Sequence, residues 1–372
     1  MNNSKIKQAC EDAINILAYY RNDFTNYFQT PSTYDNFYKQ SENVEWTTGF
    51  LTGEYWMAYE LTGDDKFKES ALVHVDSFLK RIEQHVDVDN HDMGFLYSLS
   101  CVAAYKLCGS EKGKKAALMA ADNLVSRFNH EANFIQAWGE VNAKDNFRLI
   151  IDCLMNMAIL YWASEVSGDS NYESIARKHT KTSLKHLIRE DHSTYHTYFF
   201  DYETSKPLYG KTHQGYKDDS AWSRGQAWGV YGLALAYRYT KDDECIDLFY
   251  KVTDYFINHL PKDYVPYWDF CFTDGTNEPK DSSAAAIAIC GIFEMAKYLE
   301  KDKANYYLTY ADKMLESLIV HYRVVDVQSS NALLLHGVYV KKSPYNPAKY
   351  DLGVDEGNGW GDYFYLEALI RK

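Results

Sequence analysis

Asp152 stands in the run Leu149-Ile150-Ile151-Asp152-Cys153-Leu154-Met155-Asn156, a charged group among apolar neighbours. Asp is a poor helix-interior residue, and burying a carboxylate is costly unless it is paired or protonated. Desolvation raises a carboxyl's pKa, so an acid in this setting can hold a proton near neutrality and act as a general acid. Asn156, one turn later, is spaced to hydrogen-bond it. A structural Asp capping a neighbouring helix would leave the same trace. A second acid, Asp92, lies in His91-Asp92-Met93-Gly94-Phe95. Alone it reads as an N-cap, with Gly94 permitting a turn. Together with Asp152 it completes a carboxyl pair, the usual equipment for cleaving glycosidic bonds.

The densest polar segment runs from His213-Gln214-Gly215-Tyr216 to Ser223-Arg224-Gly225-Gln226-Ala227-Trp228. Arg224 and Trp228 lie four apart, on one helix face, a combination that could clamp a carboxylate beside a stacked ring. Asp219 or Ser220 capping the helix is compatible with that role. Trp46, just before Thr47-Thr48-Gly49, and His196, in Thr194-Tyr195-His196-Thr197, are further candidates for a sugar site. The sequence has no H-E-x-x-H metal spacing, no G-x-x-x-x-G-K-[ST] phosphate loop and no G-x-S-x-G nucleophile elbow. Those three signatures of metal, phosphate and serine-nucleophile sites are therefore not what the residues point to.

These residues must be held by helices. Amphipathic runs end at a recurring junction: Thr62-Gly63-Asp64-Asp65, Cys108-Gly109-Ser110-Glu111, Ser167-Gly168-Asp169-Ser170, Thr240-Lys241-Asp242-Asp243 and Glu300-Lys301-Asp302-Lys303. Each places a helix stop before a cap for the next helix. Five junctions divide the chain into six units, each an outer polar helix, a long loop and an inner apolar helix. Six such hairpins close naturally into an all-α (α/α)6 barrel, a toroid of twelve helices. The long loops then open on one rim, where function concentrates over a rigid scaffold. No Gly/Ser/Pro-rich linker interrupts residues 1–372, which read as a single domain.

Composition narrows the partners. Among 372 residues, 52 acidic against 39 basic side chains give a formal charge of -13, which disfavours nucleic acid and anionic membranes. Aromatics reach 16%, with 33 Tyr, a bias common where flat rings face sugars, although most of them must fill core. The beginning of the chain carries no apolar leader pattern, and no run is long enough to cross a membrane. Seven scattered cysteines, none in a C-x-x-C pair, fit a reduced, cytoplasmic chain.

The His91–Phe95 segment, the Ile150–Asn156 run, the His213–Trp228 block and the terminal Trp360-Gly361-Asp362-Tyr363-Phe364-Tyr365 together resemble the unsaturated glucuronyl hydrolases of glycoside hydrolase family 88. The resemblance runs from about Trp46 to the C-terminus. It implies an (α/α)6 barrel and, as substrates, glycosaminoglycan oligosaccharides with a 4,5-unsaturated uronic acid at the non-reducing end, the products of polysaccharide lyases. It implies hydration of the C4=C5 vinyl ether rather than displacement at the anomeric carbon, with no metal or organic cofactor. Asp152 matches the catalytic acid and Asp92 the second acid. Trp46, His91, His196, His213, Gln214, Arg224 and Trp228 match substrate-site positions, with Arg224 expected to meet the uronate carboxylate and Trp46 and Trp228 to stack on sugar. Relatives favouring sulfated chondroitin units resemble one another in having Arg where this chain has His213. They also have a Ser-x-x-Ser element where this chain has Ser343-Pro344-Tyr345-Asn346, with Lys349 nearby, so that Ser343 keeps only part of a sulfate pocket. An unsaturated rhamnogalacturonyl hydrolase acting on pectin fragments is the alternative, disfavoured by the His213–Trp228 block. The chain is expected to work as a monomer or a homodimer.

Overall fold

A computed structural model describes residues 3–141 and 143–372. Among the described residues, twelve α-helices alternate between two concentric layers. The outer ones are α1 (Asn3–Phe24), α3 (Asp65–Glu83), α5 (Glu111–Ser126), α7 (Ser170–Leu187), α9 (Asp243–Asn258) and α11 (Lys301–Ser317). The inner ones are α2 (Thr48–Thr62), α4 (Ala103–Cys108), α6 (Ala158–Ser167), α8 (Ser223–Thr240), α10 (Ser282–Met295) and α12 (Gly359–Arg371). Each inner helix, with the segment leading into it, packs on the next, and α12 closes against α2, so the ring is complete. The fold is an (α/α)6 barrel.

The short junctions are built as their residues dictate. Gly63, Gly109 and Gly168 end inner helices in the left-handed region at φ 69°, 69° and 78°, and Lys241 does so at 55°. Asp64, Ser110, Asp169 and Asp242 then accept a backbone N–H of the following outer helix, satisfying donors that the helix itself leaves open. The fifth junction departs from this pattern. The inner helix stops at Met295, and Glu300 makes no side-chain cap bond.

The layers differ because burial differs. Every residue of α10 is buried, and its Ala284-Ala285-Ala286 run lets neighbours approach on several sides. Outer helices bury one face only, as with Cys245, Phe249, Val252 and Phe256 of α9.

Two inner helices do not start as regular α-helix. Residues Gly94–Val102 form a π-helical lead into α4, and Ile151–Met157 a 3-10 lead into α6. The apolar run from Phe147 suggests continuous helix, but Arg148–Ile150 forms a strand instead, paired with residues 197–199 of the next long loop. Small antiparallel sheets line the rim: β1 (Phe28–Gln29) with β2 (Gln40–Ser41), β3 (Phe128–Asn129) with β4 (Phe134–Ile135), β5 (Arg148–Ile150) with β6 (Thr197–Phe200) and β7 (Pro207–Lys211), and β8 (Gly337–Val340) with β9 (Leu352–Glu356). Among the described residues no helix is long and apolar enough to cross a membrane, and all seven cysteines are free thiols.

Candidate active site

A cavity of ≈ 430 Å³ opens at the rim where the inner helices begin, and Asp92, Asp152, Trp46, His196, His213, Gln214, Arg224 and Trp228 all line it. Residues far apart in sequence meet there because five of the six long loops reach the same mouth. The fifth loop supplies no lining residue. It buttresses instead: Asp269 accepts from the Tyr216 N–H at 2.8 Å and the Ser220 hydroxyl at 2.7 Å, holding the 213–222 segment in place.

The floor is the carboxyl pair. One oxygen each of Asp92 and Asp152 and one ring nitrogen of His91 all lie within 4.8 Å of one another. The two irregular lead-in segments bring them together. Gly94 opens the first against the second, where a Cβ would stand 2.3 Å from the Asn156 Cα; only glycine fits so close an approach. Asn156 ties the two segments, its Oδ1 accepting the Phe95 N–H at 2.8 Å and its Nδ2 donating to Asp92 Oδ1 at 3.4 Å. Its remaining contact is with the main-chain carbonyl of Asp152, not the carboxylate that sequence spacing suggests.

The two acids differ in setting. Asp92 is fully buried, and desolvation pushes its pKa up to about 7; Asp152 adds to the rise while His91 opposes it. Asp152 keeps 17% side-chain exposure and faces the cavity. Burial thus falls hardest on Asp92, whereas the apolar run around Asp152 points to Asp152 as the shielded acid. His91 lies behind the pair and does not line the cavity. Its Nε2 is 3.2 Å from Asp152 Oδ1 and 3.6 Å from Asp92 Oδ1, close enough for attraction but without hydrogen-bond alignment. Burial disfavours the charged imidazole, but Asp92 and Asp152 outweigh it and the pKa lies above the usual histidine value.

His196 is held in one tautomer. Its Nδ1 accepts the backbone N–H groups of His213 and Gln214, both at 2.9 Å, so the proton of the neutral ring sits on Nε2. Burial, then His213, Arg148 and Arg224, push its pKa well below the histidine value. His213 is likewise lowered, by burial and by Arg148. Both rings are neutral at pH 7.

Arg224, the expected partner of the uronate carboxylate, lines the cavity and is tied to its wall. Its guanidinium is 1% exposed, pairs with Asp281 at 2.9 Å and donates to the carbonyls of Val338 and Tyr339. It lies between the Trp222 and Trp360 rings, 4.4 and 4.8 Å from their centroids. It fastens β8 to α8 and α10, with its charge already neutralised. Ser343 does not line the cavity. Its hydroxyl donates to the Tyr216 carbonyl and accepts from the Tyr345 and Asn346 N–H groups, which pins the C-terminal loop. Trp228 lines the floor but is 1% exposed and packs on Phe95 and Phe364. Trp46, by contrast, is only half-buried, stacked on Trp360 at 5.1 Å with its Nε1 donating to the Tyr339 hydroxyl at 2.9 Å.

Sequence reasoning passed over Trp138, Asn146, Arg148 and Tyr339, which also line the cavity. Arg148 carried a readable signal: it is a lone cation in Phe147-Arg148-Leu149-Ile150-Ile151, as anomalous there as Asp152.

The model of glycosyl hydrolase family 88 matches residues 20–367. The chain belongs to glycoside hydrolase family 88. Within the family it is 48% identical over 369 residues to the unsaturated chondroitin disaccharide hydrolase of Streptococcus pneumoniae, covering 99% of this chain and 91% of that one. It is 38% identical to the unsaturated glucuronyl hydrolase of Bacillus sp. strain GL1, covering 98% and 96%. The crystal structure of the unsaturated glucuronyl hydrolase from Streptococcus agalactiae superposes with a TM-score of 0.95 at 46% identity, covering 100% of this chain and 92% of that one. A variant of that enzyme has been crystallised with dGlcA-GalNAc6S.

Proposed function

We propose that this family 88 hydrolase removes a 4,5-unsaturated uronic acid from the non-reducing end of glycosaminoglycan oligosaccharides. The observation that carries the reading is the carboxyl pair, with oxygens within 4.8 Å of each other, on the floor of a ring-lined cavity. One carboxyl of the pair faces the cavity and the other is buried behind it, an arrangement that suits delivery of a proton to a substrate carbon by the exposed member.

In this reading Asp152, the member of the pair open to the cavity, protonates C4 of the vinyl ether. Positive charge develops at C5 and is shared with the ring oxygen. Water adds at C5, giving up a proton to the Asp152 carboxylate, which is thereby returned to its starting state. The hemiketal so formed opens to a ketone at C5, the hemiacetal this leaves at C1 collapses with its hydroxyl proton passing to the leaving sugar, and the former uronic acid is released as an open-chain keto acid. His196 offers its Nε2–H as a neutral donor to substrate oxygens, and Trp46 offers a ring face. Asp92 holds its position through Asn156 and sets the charge beside Asp152.

The test is loss of the ultraviolet absorbance of unsaturated disaccharides, run in parallel on unsaturated galacturonyl-rhamnose. Turnover of the glycosaminoglycan disaccharides, with deuterium at C4 of the product in heavy water, is expected. Asp152→Asn is expected to keep fold and binding while losing at least about 10²-fold in kcat. Undiminished turnover by that variant, or preference for the pectin fragment, would overturn the reading.

A further inference from the structure

The cavity is lined by two guanidinium groups, Arg148 and Arg224. They are not equivalent. Arg224 is matched by Asp281 and two carbonyls. Among the described residues, Arg148 has no carboxylate within ion-pair distance and no hydrogen-bond acceptor for its guanidinium. Its Nε is buried and unpartnered, and its nearest support is the Phe199 ring, 5.4 Å from Cζ to centroid. Leaving a charged donor desolvated and unpaired is costly in a folded protein. The neighbouring His196 and His213 are disfavoured as cations by burial and by the nearby Arg148 and, as imidazoles, offer it no negative charge. The net charge of the chain is -13, so carboxylates are plentiful, and Asp92 and Asp152 line the same cavity, yet neither pairs with Arg148.

Resting on the functional reading above, we infer that Arg148 is the anion-binding residue of the site and takes an oxyanion of the substrate. Two substrate groups share that chemistry: the uronate carboxylate and a sulfate ester on the adjoining sugar. The guanidinium plane can accept either through paired N–H donors. Arg148 sits four residues before Asp152, on the strand that runs directly into the 3-10 segment, so a bound oxyanion is registered against the reacting alkene by a rigid element.

The experiment compares wild type, Arg148→Gln and Arg148→Lys on unsaturated disaccharides that are unsulfated or carry one sulfate at different positions. Arg148→Gln is expected to lower kcat/KM about tenfold or more, chiefly through KM, with Arg148→Lys recovering part of the loss. A loss on every substrate assigns the carboxylate to Arg148; a loss confined to sulfated ones assigns the sulfate. Because Arg148 has no protein partner to abandon, Arg148→Gln is expected to keep or raise the Tm, which separates ligand binding from a structural role. Values of kcat/KM within twofold of wild type on the whole panel, or a lowered Tm that accounts for the lost activity, would overturn the inference. If wild type turns over none of the panel, the functional reading fails and takes this one with it.

Discussion

Of the two acids in the site, Asp92 has the environment less hospitable to charge. It is fully buried, and its pKa is pushed up to about 7, first by desolvation. A carboxyl raised in the folded state binds its proton there after the unfolded chain has lost it. Stability therefore falls as pH rises from the ordinary carboxylate value near 4 to about 7, and the cost is fully present above that. Asp92→Asn removes an ionisable group without removing the shape or the Asn156 contact. The variant is expected to be more stable than wild type at pH 8, by on the order of 1–4 kcal/mol, and to lose that advantage near pH 4. Thermal melts across this range check it; an advantage that grows toward acid pH would reverse the sign and exclude the argument. Activity of the same variant reports separately on the charge beside Asp152.

At the scale of elements, the site is a consequence of two irregular segments leading into inner helices. The π-helical segment Gly94–Val102 and the 3-10 segment Ile151–Met157 bring the acids together, and the contact between them runs through Gly94 and Asn156. A Cβ at residue 94 would meet Asn156 Cα at 2.3 Å and its carbonyl oxygen at 2.6 Å, both backbone atoms that cannot swing away. Gly94→Ala is expected to part the two segments, costing about 1–3 kcal/mol as other overpacked sites do. Turnover is expected to fall about 10²-fold, because displacements near 1 Å at reacting groups have effects of that size. Steady-state kinetics beside a denaturant titration give both numbers, and unchanged kcat would show that these segments do not position the acids. Arg224 belongs to this scale as well. Its pairing with Asp281 and its contacts to β8 make it a fastener of the cavity wall.

At the scale of the whole molecule, the formal charge of -13 opposes an anionic substrate before any contact is made. Added salt screens that repulsion, with a Debye length falling from about 30 Å at 0.01 M to about 8 Å at 0.15 M. For unsaturated disaccharides kcat/KM is therefore expected to rise, on the order of twofold or more, between these ionic strengths. The rise should be steeper for doubly charged sulfated substrates than for singly charged ones. A fall with salt would mean that the cavity's own cations, rather than the overall acidic surface, govern capture.

The hairpin count, the alternation of polar and apolar helices and four of the five junctions were legible in the sequence, since caps and amphipathic periods are local and leave local signatures. Asp64, Ser110, Asp169 and Asp242 cap helices as their positions foretold. Candidate residues were legible wherever a polar group broke an apolar pattern, as at Asp152. What each group touches was not. Arg224 stands in a polar stretch and Arg148 in an apolar one, yet neither setting tells what the guanidinium meets; only the fold supplies Asp281 to one and leaves the other free. Likewise the greater burial of Asp92 over Asp152, and the retreat of Ser343 from the cavity, depend on how remote loops close over the rim. Desolvation and pairing are set by neighbours distant in the chain, so the sequence by itself determined the scaffold and the cast of side chains, and the tertiary structure decided which of them remain open to a ligand.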